Sequence, residues 1–370
     1  MTPGAGTFYI AGGGTGGHLY PGLAIADALV SHRPDLDIMF IGARRGIEAT
    51  VLPTTRWRHQ LLDLHPLYRS APWQNWKTVV GLRSAFKSIG LLTAQSRALG
   101  VLGTGGYAAG ALLGYARLHS LPYFLQEQNA VAGLTVKFFS SRARHTFVGF
   151  PEAIGTLPAG GRQAALVTGN PITPPPTPLP DRGQSRAAWG FPAAVRRVLL
   201  VFGGSQGSRA INDAVASWLP THLPPDWGAI WVTGRGEHAR HAHLASDRVR
   251  VIAYQQPMAQ AYATVDLAVA RAGAMSTAEL CAWGIPMVLV PLPTAAADHQ
   301  VQNARALAQV DAARLVMQDT LASGGLASTL SALCTDPSVL DGMAESARAR
   351  ARVDAAQVIA GNILGSLNLK

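Results

Sequence analysis

The residues best suited to chemistry lie near the amino terminus, in a glycine-rich segment that ends in histidine, Ala11-Gly-Gly-Gly-Thr-Gly-Gly-His18. Glycine allows positive φ angles and lets a ligand approach main-chain N–H groups closely. A histidine side chain titrates near neutral pH and can therefore move a proton during a reaction. The segment predicts a loop that faces a diphosphate or a sugar, with His18 at its edge.

The residues on either side of this loop indicate the elements that hold it. Phe8-Tyr9-Ile10 is typical of a strand, and Leu23, Ala26, Leu29 and Val30 recur with helical spacing. A loop between a strand and a helix N-terminus binds anions, because the first helical N–H groups are unpaired and the helix dipole is positive there. The structural alternative is a glycine turn that only packs the strand on the helix.

The same glycines fit a second kind of site. Gly12, Gly14 and Gly17 satisfy the dinucleotide-binding pattern G-x-G-x-x-G. That pattern expects an acidic residue after the next strand, whereas Ala43-Arg44-Arg45 follows the apolar run here. Arginines suit the 2′-phosphate of NADP, so an NADP-dependent reductase is an open alternative.

Length and composition limit the class of protein. A chain of 370 residues exceeds what one core usually supports, and 48% hydrophobic with 14% charged residues indicates folded domains. Cys281 and Cys334, the only cysteines, form no CxxC pair, which favours a reducing compartment. Neither a signal peptide nor an apolar run of about 18 residues is recognisable, so we expect a cytoplasmic protein.

The net charge of +10 lies mostly in the first half of the chain. Residues 1–166 contain 15 Lys and Arg against 7 Asp and Glu, whereas residues 167–370 contain 16 against 14. Between Asp63 and Glu127 there are six basic residues and no acidic one. This distribution predicts an anionic partner. Zinc-ligand spacing, a recognition-helix signature and RNP-type aromatics are absent from the sequence, so nucleic acid is not expected.

Short apolar runs alternate with helical stretches in both halves, which predicts an α/β fold with parallel, doubly wound sheets. Residues 169–182 are too rich in proline for either element and predict a linker between domains 1–168 and 183–348. The predicted strands are Phe8–Gly12, Ile38–Gly42, Leu61–Leu64, Val101–Gly103, Tyr123–Gln126, Thr146–Phe150, Ala165–Thr168, Val198–Phe202, Ala229–Thr233, Val249–Ala253, Leu267–Ala270, Met287–Val290 and Ala313–Met317.

The second half adds polar groups at corresponding places. A strand runs into Gly203-Gly-Ser-Gln-Gly207, a second glycine loop, where Ser205 can donate to a phosphate oxygen or cap a helix. Glu279 lies in a predicted helix and can accept hydrogen bonds from both hydroxyls of a ribose, although a lone helical glutamate is more often simply solvated. Asp298-His299-Gln300 offers imidazole and amide groups suited to sugar hydroxyls.

Together these motifs resemble the MurG family of glycosyltransferases, in order from residue 11 to about residue 304. The resemblance rests on Gly13–His18, Pro21–Ala24, Gly105–Tyr107, Glu127–Asn129, Ala132–Thr135, Gly169–Pro171, Gly203–Gly207, Gly273–Ala274, Glu279, His299–Gln300 and Asn303–Ala304.

The resemblance implies a GT-B fold, in which two Rossmann-like doubly wound parallel-sheet domains face each other across a cleft and residues 349–370 pack back on the first domain. It also implies an inverting transfer of N-acetylglucosamine (GlcNAc) from UDP-GlcNAc to the 4-hydroxyl of the muramoyl sugar of lipid I, which is linked to undecaprenyl diphosphate, to form lipid II. Neither a cofactor nor a metal is implied. Another GT-B UDP-sugar transferase that makes a glycolipid is the nearest alternative, and a non-catalytic UDP-sugar-binding scaffold is a third.

The resemblance further assigns the site residues. In the second domain, Glu279 would bind ribose, the backbone around Gln255 uracil, and Ser205 the diphosphate, while four residues would surround the sugar: Ala274, Met275, Ser276 and Gln300. In the first domain, the cleft would be lined by Gly14, Thr15, Gly16, His18 and Asn129, with Asn129 facing the donor sugar. His18 is the candidate catalytic base; the alternative is that it only hydrogen-bonds the acceptor phosphate or the loop.

Three positions depart from the family pattern: Gln126, Thr173 and Ala272 stand where relatives can carry histidine, arginine and serine. An acid–base role at Gln126 is therefore not available, and the donor's charge must be met by Arg209 or by helix dipoles. The pattern Asp35-Leu-Asp37 resembles a metal motif of other transferases, but it precedes a strand, and we expect a solvated loop.

Residues 73–92 combine Trp73 and Trp76 with aliphatic residues and three cations, Lys77, Arg83 and Lys87. Helical spacing can place four apolar residues on one face, Val79, Leu82, Phe86 and Ile89. Such a helix predicts peripheral attachment to an anionic membrane surface, on the cytoplasmic face of the plasma membrane. The alternative is that this face packs on the sheet.

Overall fold

The computed structural model describes residues 6–64, 75–204 and 206–369. The chain forms two compact units, Met1–Ile172 with Asp354–Lys370, and Thr173–Val353. The division between Ile172 and Thr173 falls inside the proline-rich segment, where residues without a backbone N–H cannot extend a helix or a sheet.

The first unit is built on a sheet of seven parallel strands. They are β1 (Thr7–Ala11), β2 (Asp37–Ala43), β3 (Arg58–Leu62), β4 (Ala98–Gly103), β5 (Tyr123–Glu127), β6 (His145–Val148) and β7 (Ala165–Val167). Their spatial order is β3-β2-β1-β4-β5-β6-β7. The chain therefore adds strands in one direction from β1 and then in the other from β4, and the switch point lies between these two strands.

Helices cover both faces of this sheet. They are α1 (Gly16–His32), α2 (Glu48–Val51), α3 (Asn75–Gln95), α4 (Gly106–Leu118), α5 (Leu134–Phe139), α6 (Glu152–Thr156) and α7 (Ala159–Arg162). Successive side chains of a strand point to opposite faces. In β1, Phe8 and Ile10 accordingly join one core with residues of α1, whereas Tyr9 and Ala11 join the other with residues of α3 and α4.

The second unit repeats this design with six parallel strands. They are β8 (Arg197–Phe202), β9 (Trp227–Val232), β10 (Val249–Ile252), β11 (Leu267–Ala270), β12 (Met287–Leu289) and β13 (Ala313–Leu315), in the order β10-β9-β8-β11-β12-β13. The helices are α8 (Arg182–Ala188), α9 (Arg209–His222), α10 (His238–His241), α11 (Ala259–Tyr262), α12 (Ala274–Ala282), α13 (His299–Gln309), α14 (Gly325–Thr335) and α15 (Pro337–Arg350). Here the switch point lies between β8 and β11.

The last helix, α16 (Ala355–Ser366), belongs to the first unit. Ile359 and Ile363 are fully buried in the same core as Leu29 of α1. The Arg33 guanidinium donates a hydrogen bond to the Leu369 carbonyl at 2.7 Å. The carboxy-terminal segment therefore completes one face of the first sheet.

The predicted fold class, α/β with doubly wound parallel sheets, is confirmed, and each of the thirteen predicted strands is present. The strand predicted at Leu61–Leu64 begins and ends earlier in the structure, since β3 spans Arg58–Leu62. β3 is an edge strand in which exposed and half-buried residues alternate, so it has no continuous apolar run to mark it.

The predicted apolar face of α3 is only partly exposed. Ile89 is fully buried, and Phe86 packs edge-on against Tyr115 of α4 with ring centroids 5.9 Å apart. Leu82 remains exposed. Phe86 and Ile89 therefore pack into the core of the first unit, Phe86 against a helix, rather than facing solvent. Trp73 lies outside the described residues, as do the side chains of Trp76, Lys77 and Val79.

Candidate active site

Each sheet carries a glycine-rich loop at the carboxyl end of a strand that borders its switch point. The first loop joins β1 to α1, and the second joins β8 to α9. In open α/β sheets the crevice at the switch point is the usual place for a ligand, because the flanking loops diverge to opposite faces. The topology therefore selects these two loops as candidate sites.

One side of the first loop is open to solvent. Gly14 adopts a φ of +86°, and both Gly14 and Thr15 are exposed. Thr15 is the N-cap residue of α1, but its hydroxyl accepts no hydrogen bond from the backbone of the first turn. The first backbone N–H groups of the helix, from Gly16 onward, therefore have no side-chain cap. Three predicted site residues, Gly14, Thr15 and Gly16, thus lie where an anion or a sugar can approach the backbone.

The other side of this loop is packed against the protein itself. A Cβ atom on Gly12 would collide with the Thr104 hydroxyl, and one on Gly13 would collide with the Glu48 carboxylate. Neither glycine has a positive φ, so that part of the prediction is wrong at both positions, where the absent side chain makes room for internal contacts.

Glu48 is the residue that sequence reasoning missed in this loop. Its side chain is fully buried, and its Oε2 and Oε1 accept hydrogen bonds from the N–H groups of Gly14 (2.8 Å) and Ala43 (3.0 Å). A Cβ on Gly42 or Gly46 would also collide with it. The only sequence signal is a lone acidic residue two positions after a glycine, in the segment that follows β2.

His18 lies in the first turn of α1 with its ring against the loop. Its Nδ1 is 3.1 Å from the Gly13 carbonyl and 3.3 Å from the Thr15 hydroxyl. A Cβ on Gly105, which has a φ of +108°, would be 2.7 Å from the imidazole Cδ2, so this glycine makes room for the ring. A carbonyl can only accept, so a hydrogen bond between these atoms requires the proton on Nδ1 and leaves Nε2 as the basic nitrogen.

Asn129 is held by a second buried carboxylate. Glu127 Oε1 accepts from the Asn129 backbone N–H (2.9 Å) and from its side-chain amide (3.1 Å), and Oε2 accepts from the Gly133 N–H (2.8 Å). Gln126 is fully buried and donates to the Asn170 side chain at 3.1 Å. The position where relatives can carry histidine is thus part of an amide network, and Glu127 fixes the loop that carries Asn129.

The second glycine loop leads into α9. Ser205 lies outside the described residues. Ser208, rather than Ser205, caps α9, since its hydroxyl accepts from the Ile211 N–H at 3.4 Å. Arg209 is the first residue of α9, and its side chain is 70% exposed. Its Nε is 3.9 Å from the Asp213 carboxylate, which is a long distance for an ion pair. The helix N-terminus and Arg209 leave this loop electropositive.

Arg271, at the end of β11, is a further group that sequence reasoning missed. Its guanidinium donates to the Ser208 hydroxyl and the Gln318 side-chain carbonyl, both at 2.7 Å, and to the carbonyls of Val290 and Pro291. Burial lowers the pKa of Arg271. All four acceptors are neutral, so the guanidinium adds positive potential beside the serine that caps α9.

Glu279 lies on α12 and is more than a solvated helical glutamate. The Tyr262 hydroxyl donates to Glu279 Oε2 at 2.8 Å. Burial raises the pKa of Glu279, and the hydrogen bond from Tyr262 opposes that rise. Burial and the nearby carboxylate raise the pKa of Tyr262 well above its usual value, so Tyr262 remains a hydrogen-bond donor. One carboxylate oxygen is thus committed to Tyr262, and Oε1 is the atom that a ligand hydroxyl would reach.

The remaining predicted donor residues lie in the first turns of α12 and α13 or on the loop after β10, all at the same edge of the second sheet. Ala274 is buried at the start of α12, and Met275 and Ser276 follow it half-buried. Gln300 Oε1 accepts from the Leu292 N–H at 3.0 Å, which ties α13 to the loop after β12. Gln255 follows β10, the edge strand, where its side-chain amide donates to the Pro257 carbonyl at 3.0 Å.

Groups suited to metal binding lie elsewhere or are already paired. Within the described residues, Asp213, Glu237 and His241 form the one cluster with metal-ligand spacing. The Arg240 guanidinium bridges its two carboxylates, at 3.4 Å from Asp213 and 2.8 Å from Glu237, so the cluster is an ion-pair network.

The two aspartates predicted to lie in a solvated loop are Asp35, which precedes β2, and Asp37, which is its first residue. Both lie at the amino ends of the parallel strands, whereas the glycine loop lies at the carboxyl ends. The Arg33 hydrogen bond lowers the pKa of Asp35, and Asp37 accepts from the Thr7 hydroxyl and from Arg58 at 2.7 Å each.

Comparison with known proteins assigns both units to one family. Residues 8–148 match the glycosyltransferase family 28 N-terminal domain, and residues 198–359 match the glycosyltransferase family 28 C-terminal domain. A crystal structure of MurG from Acinetobacter baumannii superposes with a TM-score of 0.79 at 28% identity, covering 97% of this chain and 99% of that one.

Two curated relatives carry the same name, UDP-N-acetylglucosamine--N-acetylmuramyl-(pentapeptide) pyrophosphoryl-undecaprenol N-acetylglucosamine transferase. The protein from Limosilactobacillus fermentum is 34% identical over 90% of this chain and 91% of its own length, and that from Salinibacter ruber is 40% identical over 82% of each. Since identity at this level extends over most of both sequences and both sheets have the family's architecture, the chain belongs to the MurG family within glycosyltransferase family 28 and has its GT-B fold.

Proposed function

We propose that this chain transfers N-acetylglucosamine from UDP-GlcNAc to the 4-hydroxyl of the N-acetylmuramyl sugar in undecaprenyl-diphosphate-linked lipid I, forming lipid II. The names of the relatives supply the substrates. The observation that carries the proposal is the placement of His18 on the first glycine loop, with Nδ1 held by the Gly13 carbonyl. This arrangement gives the first unit a general base beside a backbone surface suited to an anionic, sugar-bearing acceptor.

The reaction is an inverting displacement at the anomeric carbon of the donor sugar. His18 Nε2 takes the proton of the acceptor 4-hydroxyl as its oxygen forms the bond to C1. The bond between C1 and the diphosphate oxygen breaks, and UDP leaves with the negative charge. The backbone of exposed Thr15 and half-buried Gly16 holds the acceptor, beside Gly14, whose own N–H is taken by Glu48. Asn129, fixed by Glu127, faces the donor sugar.

The second unit binds the donor. Glu279 accepts a hydrogen bond from a ribose hydroxyl at Oε1, the oxygen that Tyr262 does not use. The backbone near Gln255 binds uracil. The second glycine loop, with Ser205, binds the diphosphate. The negative charge of the diphosphate is balanced by Arg209, Arg271 and the N-terminus of α9, since position 173, where relatives can carry arginine, is a threonine here. Four residues surround the sugar: Ala274, Met275, Ser276 and Gln300. We accordingly assign the first unit, Met1–Ile172 with Asp354–Lys370, to the acceptor, and the second unit, Thr173–Val353, to the donor.

The main alternatives fit the geometry less well. An NADP-dependent reductase needs one dinucleotide loop, whereas this chain has two glycine loops on separate sheets. A non-catalytic UDP-sugar-binding scaffold has no use for a histidine whose tautomer is set for proton transfer. Another GT-B transferase that makes a glycolipid would share most of these residues, and the acceptor distinguishes it.

We also propose that the first unit attaches to the anionic cytoplasmic face of the plasma membrane, where the lipid-linked acceptor lies. On α3, Val80 and Leu91 are 56% and 58% exposed, and the cations Arg83 and Lys87 are exposed beside them. On α5, Phe138 is 68% exposed, with the Arg117 guanidinium 5.5 Å from its ring centroid. Apolar side chains bordered by cations are suited to the headgroup region.

This attachment would be peripheral. In the described parts of the chain, no helix combines the length and the apolar character needed to cross a bilayer.

Replacing His18 tests the base. His18→Ala should lower kcat by about two to four orders of magnitude, since general-base catalysis contributes about that much, while UDP affinity stays unchanged. The control is His32→Ala, an exposed histidine at the other end of α1. A loss below about tenfold with chemistry rate-limiting would show that His18 only positions the acceptor.

Replacing Glu279 tests the donor site. Wild-type protein should bind UDP more tightly than 2′,3′-dideoxy-UDP, by about 1.5–3 kcal/mol for each hydrogen bond to the carboxylate, and Glu279→Ala should abolish that preference. Calorimetric titration with both nucleotides measures it, with Glu345→Ala, an exposed glutamate of α15, as the control. An undiminished preference in folded Glu279→Ala would remove Glu279 from the ribose site.

Removing two exposed cations tests membrane attachment. Arg83→Gln/Lys87→Gln should weaken binding to anionic vesicles about 30-fold, because each cation near the surface contributes about 1 kcal/mol at moderate ionic strength. Vesicle sedimentation measures this loss, and Arg305→Gln/Arg352→Gln makes the same charge change on exposed residues of the second unit. Equal binding by both double variants, or equal wild-type binding to neutral vesicles, would contradict the assignment.

A further inference from the structure

The peptide group that joins Gly13 to Gly14 lies between two functional side chains. Its N–H donates to Glu48 Oε2 at 2.8 Å, and its C=O is 3.1 Å from His18 Nδ1. We infer that Glu48 sets the tautomer and the orientation of His18 through this one peptide group. Only the effect of Glu48 on sugar transfer rests on the proposed function; its effect on the His18 tautomer does not.

The geometry of a trans peptide explains how the two contacts are coupled. Its N–H and C=O point in opposite directions in one rigid plane, so fixing one fixes the other. A carboxylate is a strong acceptor, and hydrogen bonds in series polarise one another. Glu48 therefore both aims the Gly13 carbonyl at Nδ1 and makes it a better acceptor.

The position of Glu48 is itself fixed. The side chain is fully buried, and each carboxylate oxygen accepts from a backbone N–H, one of Gly14 and one of Ala43. The glycines at 13, 42 and 46 surround the carboxylate so closely that a Cβ on any of them would collide with the Glu48 side chain. A neutral glutamine of the same size can accept at one oxygen only and turns its amide N–H groups toward the other backbone donor.

A competing hydrogen bond makes the tautomer sensitive to Glu48. The Thr15 hydroxyl is 3.3 Å from the same Nδ1 and can either donate or accept. If it donates, Nδ1 carries no proton and the neutral ring is protonated on Nε2, the nitrogen that must accept the proton from the acceptor. The Gly13 carbonyl excludes that state because it can only accept, and Glu48 keeps the carbonyl in place.

The consequence for the reaction concerns both protonation states of His18. In the resting enzyme, Nδ1–H bonded to Gly13 leaves Nε2 as the base. After proton transfer, the positive charge of the imidazolium is stabilised by the polarised carbonyl with the Glu48 carboxylate behind it. Glu48 does not contact the substrate and is a positioning residue.

Nitrogen NMR of the full-length chain labelled with ¹⁵N-histidine tests the inference, because the two ring tautomers have different ¹⁵N shifts. His18 signals are assigned by their loss in His18→Ala, at a pH where the ring is neutral. We expect the Nδ1–H tautomer in the wild type and a gain of the Nε2–H tautomer in Glu48→Gln. Adding Thr15→Val to Glu48→Gln should restore Nδ1–H, since the competing donor is removed, whereas a merely structural defect would not be reversed.

The kinetic counterpart separates positioning from binding. Glu48→Gln should lower kcat at least about tenfold while leaving the KM for UDP-GlcNAc unchanged. The matched control is Asp266→Asn in the second unit, a mostly buried carboxylate that accepts from the Val198 N–H at 2.9 Å. This variant should leave the His18 signals as in the wild type.

Three results would overturn the inference: a wild-type His18 protonated on Nε2, an unchanged tautomer in folded Glu48→Gln, or the same tautomer change in Asp266→Asn. If Glu48→Gln does not fold, the wild-type tautomer decides alone. Absence of sugar transfer by the wild type would refute the proposed function and leave the tautomer result standing.

Discussion

The first glycine loop depends on a buried negative charge and the hydrogen bonds that compensate it. Burying an ionised carboxylate is costly unless each oxygen has a partner, and the backbone N–H groups of Gly14 and Ala43 provide those partners for Glu48. The loop must therefore follow one path, with no side chain at Gly13. That path exposes Gly14 and Thr15 to solvent and sets the Gly13 carbonyl against His18.

Carboxylates with fixed hydrogen-bond partners recur at two other places in the candidate site. Glu127 compensates its buried charge with the N–H groups of Asn129 and Gly133, and Glu279 accepts from the Tyr262 hydroxyl. Glu48 and Glu127 each hold a loop through its backbone N–H groups, whereas Glu279, on α12, is itself held by a side-chain hydroxyl. Preorganised groups of this kind need no rearrangement when a substrate arrives, and the scaffold of parallel strands sets where the loops begin.

Local patterns predicted the strands and the two glycine loops, because apolar periodicity and strand-loop-helix junctions are features of neighbouring residues. They also singled out His18 and Glu279 as candidates. Contacts between distant residues were not predicted. Glu48 lies 34 positions from Gly14, and Tyr262 lies 17 from Glu279, so no local pattern links them. Arg271 was missed because its partners belong to different elements of the second unit. For α3, periodicity located an amphipathic helix but could not decide whether Phe86 faces solvent or the core.

The most direct test of the account is analysis of the product formed from isotope-labelled UDP-GlcNAc and a short-chain lipid I analogue. NMR of the purified product gives both the linkage position and the anomeric configuration of the transferred sugar. We expect a bond to the 4-oxygen of the muramoyl sugar with inversion at the anomeric carbon. No transfer by folded protein that binds UDP, or transfer with retained configuration, would contradict it.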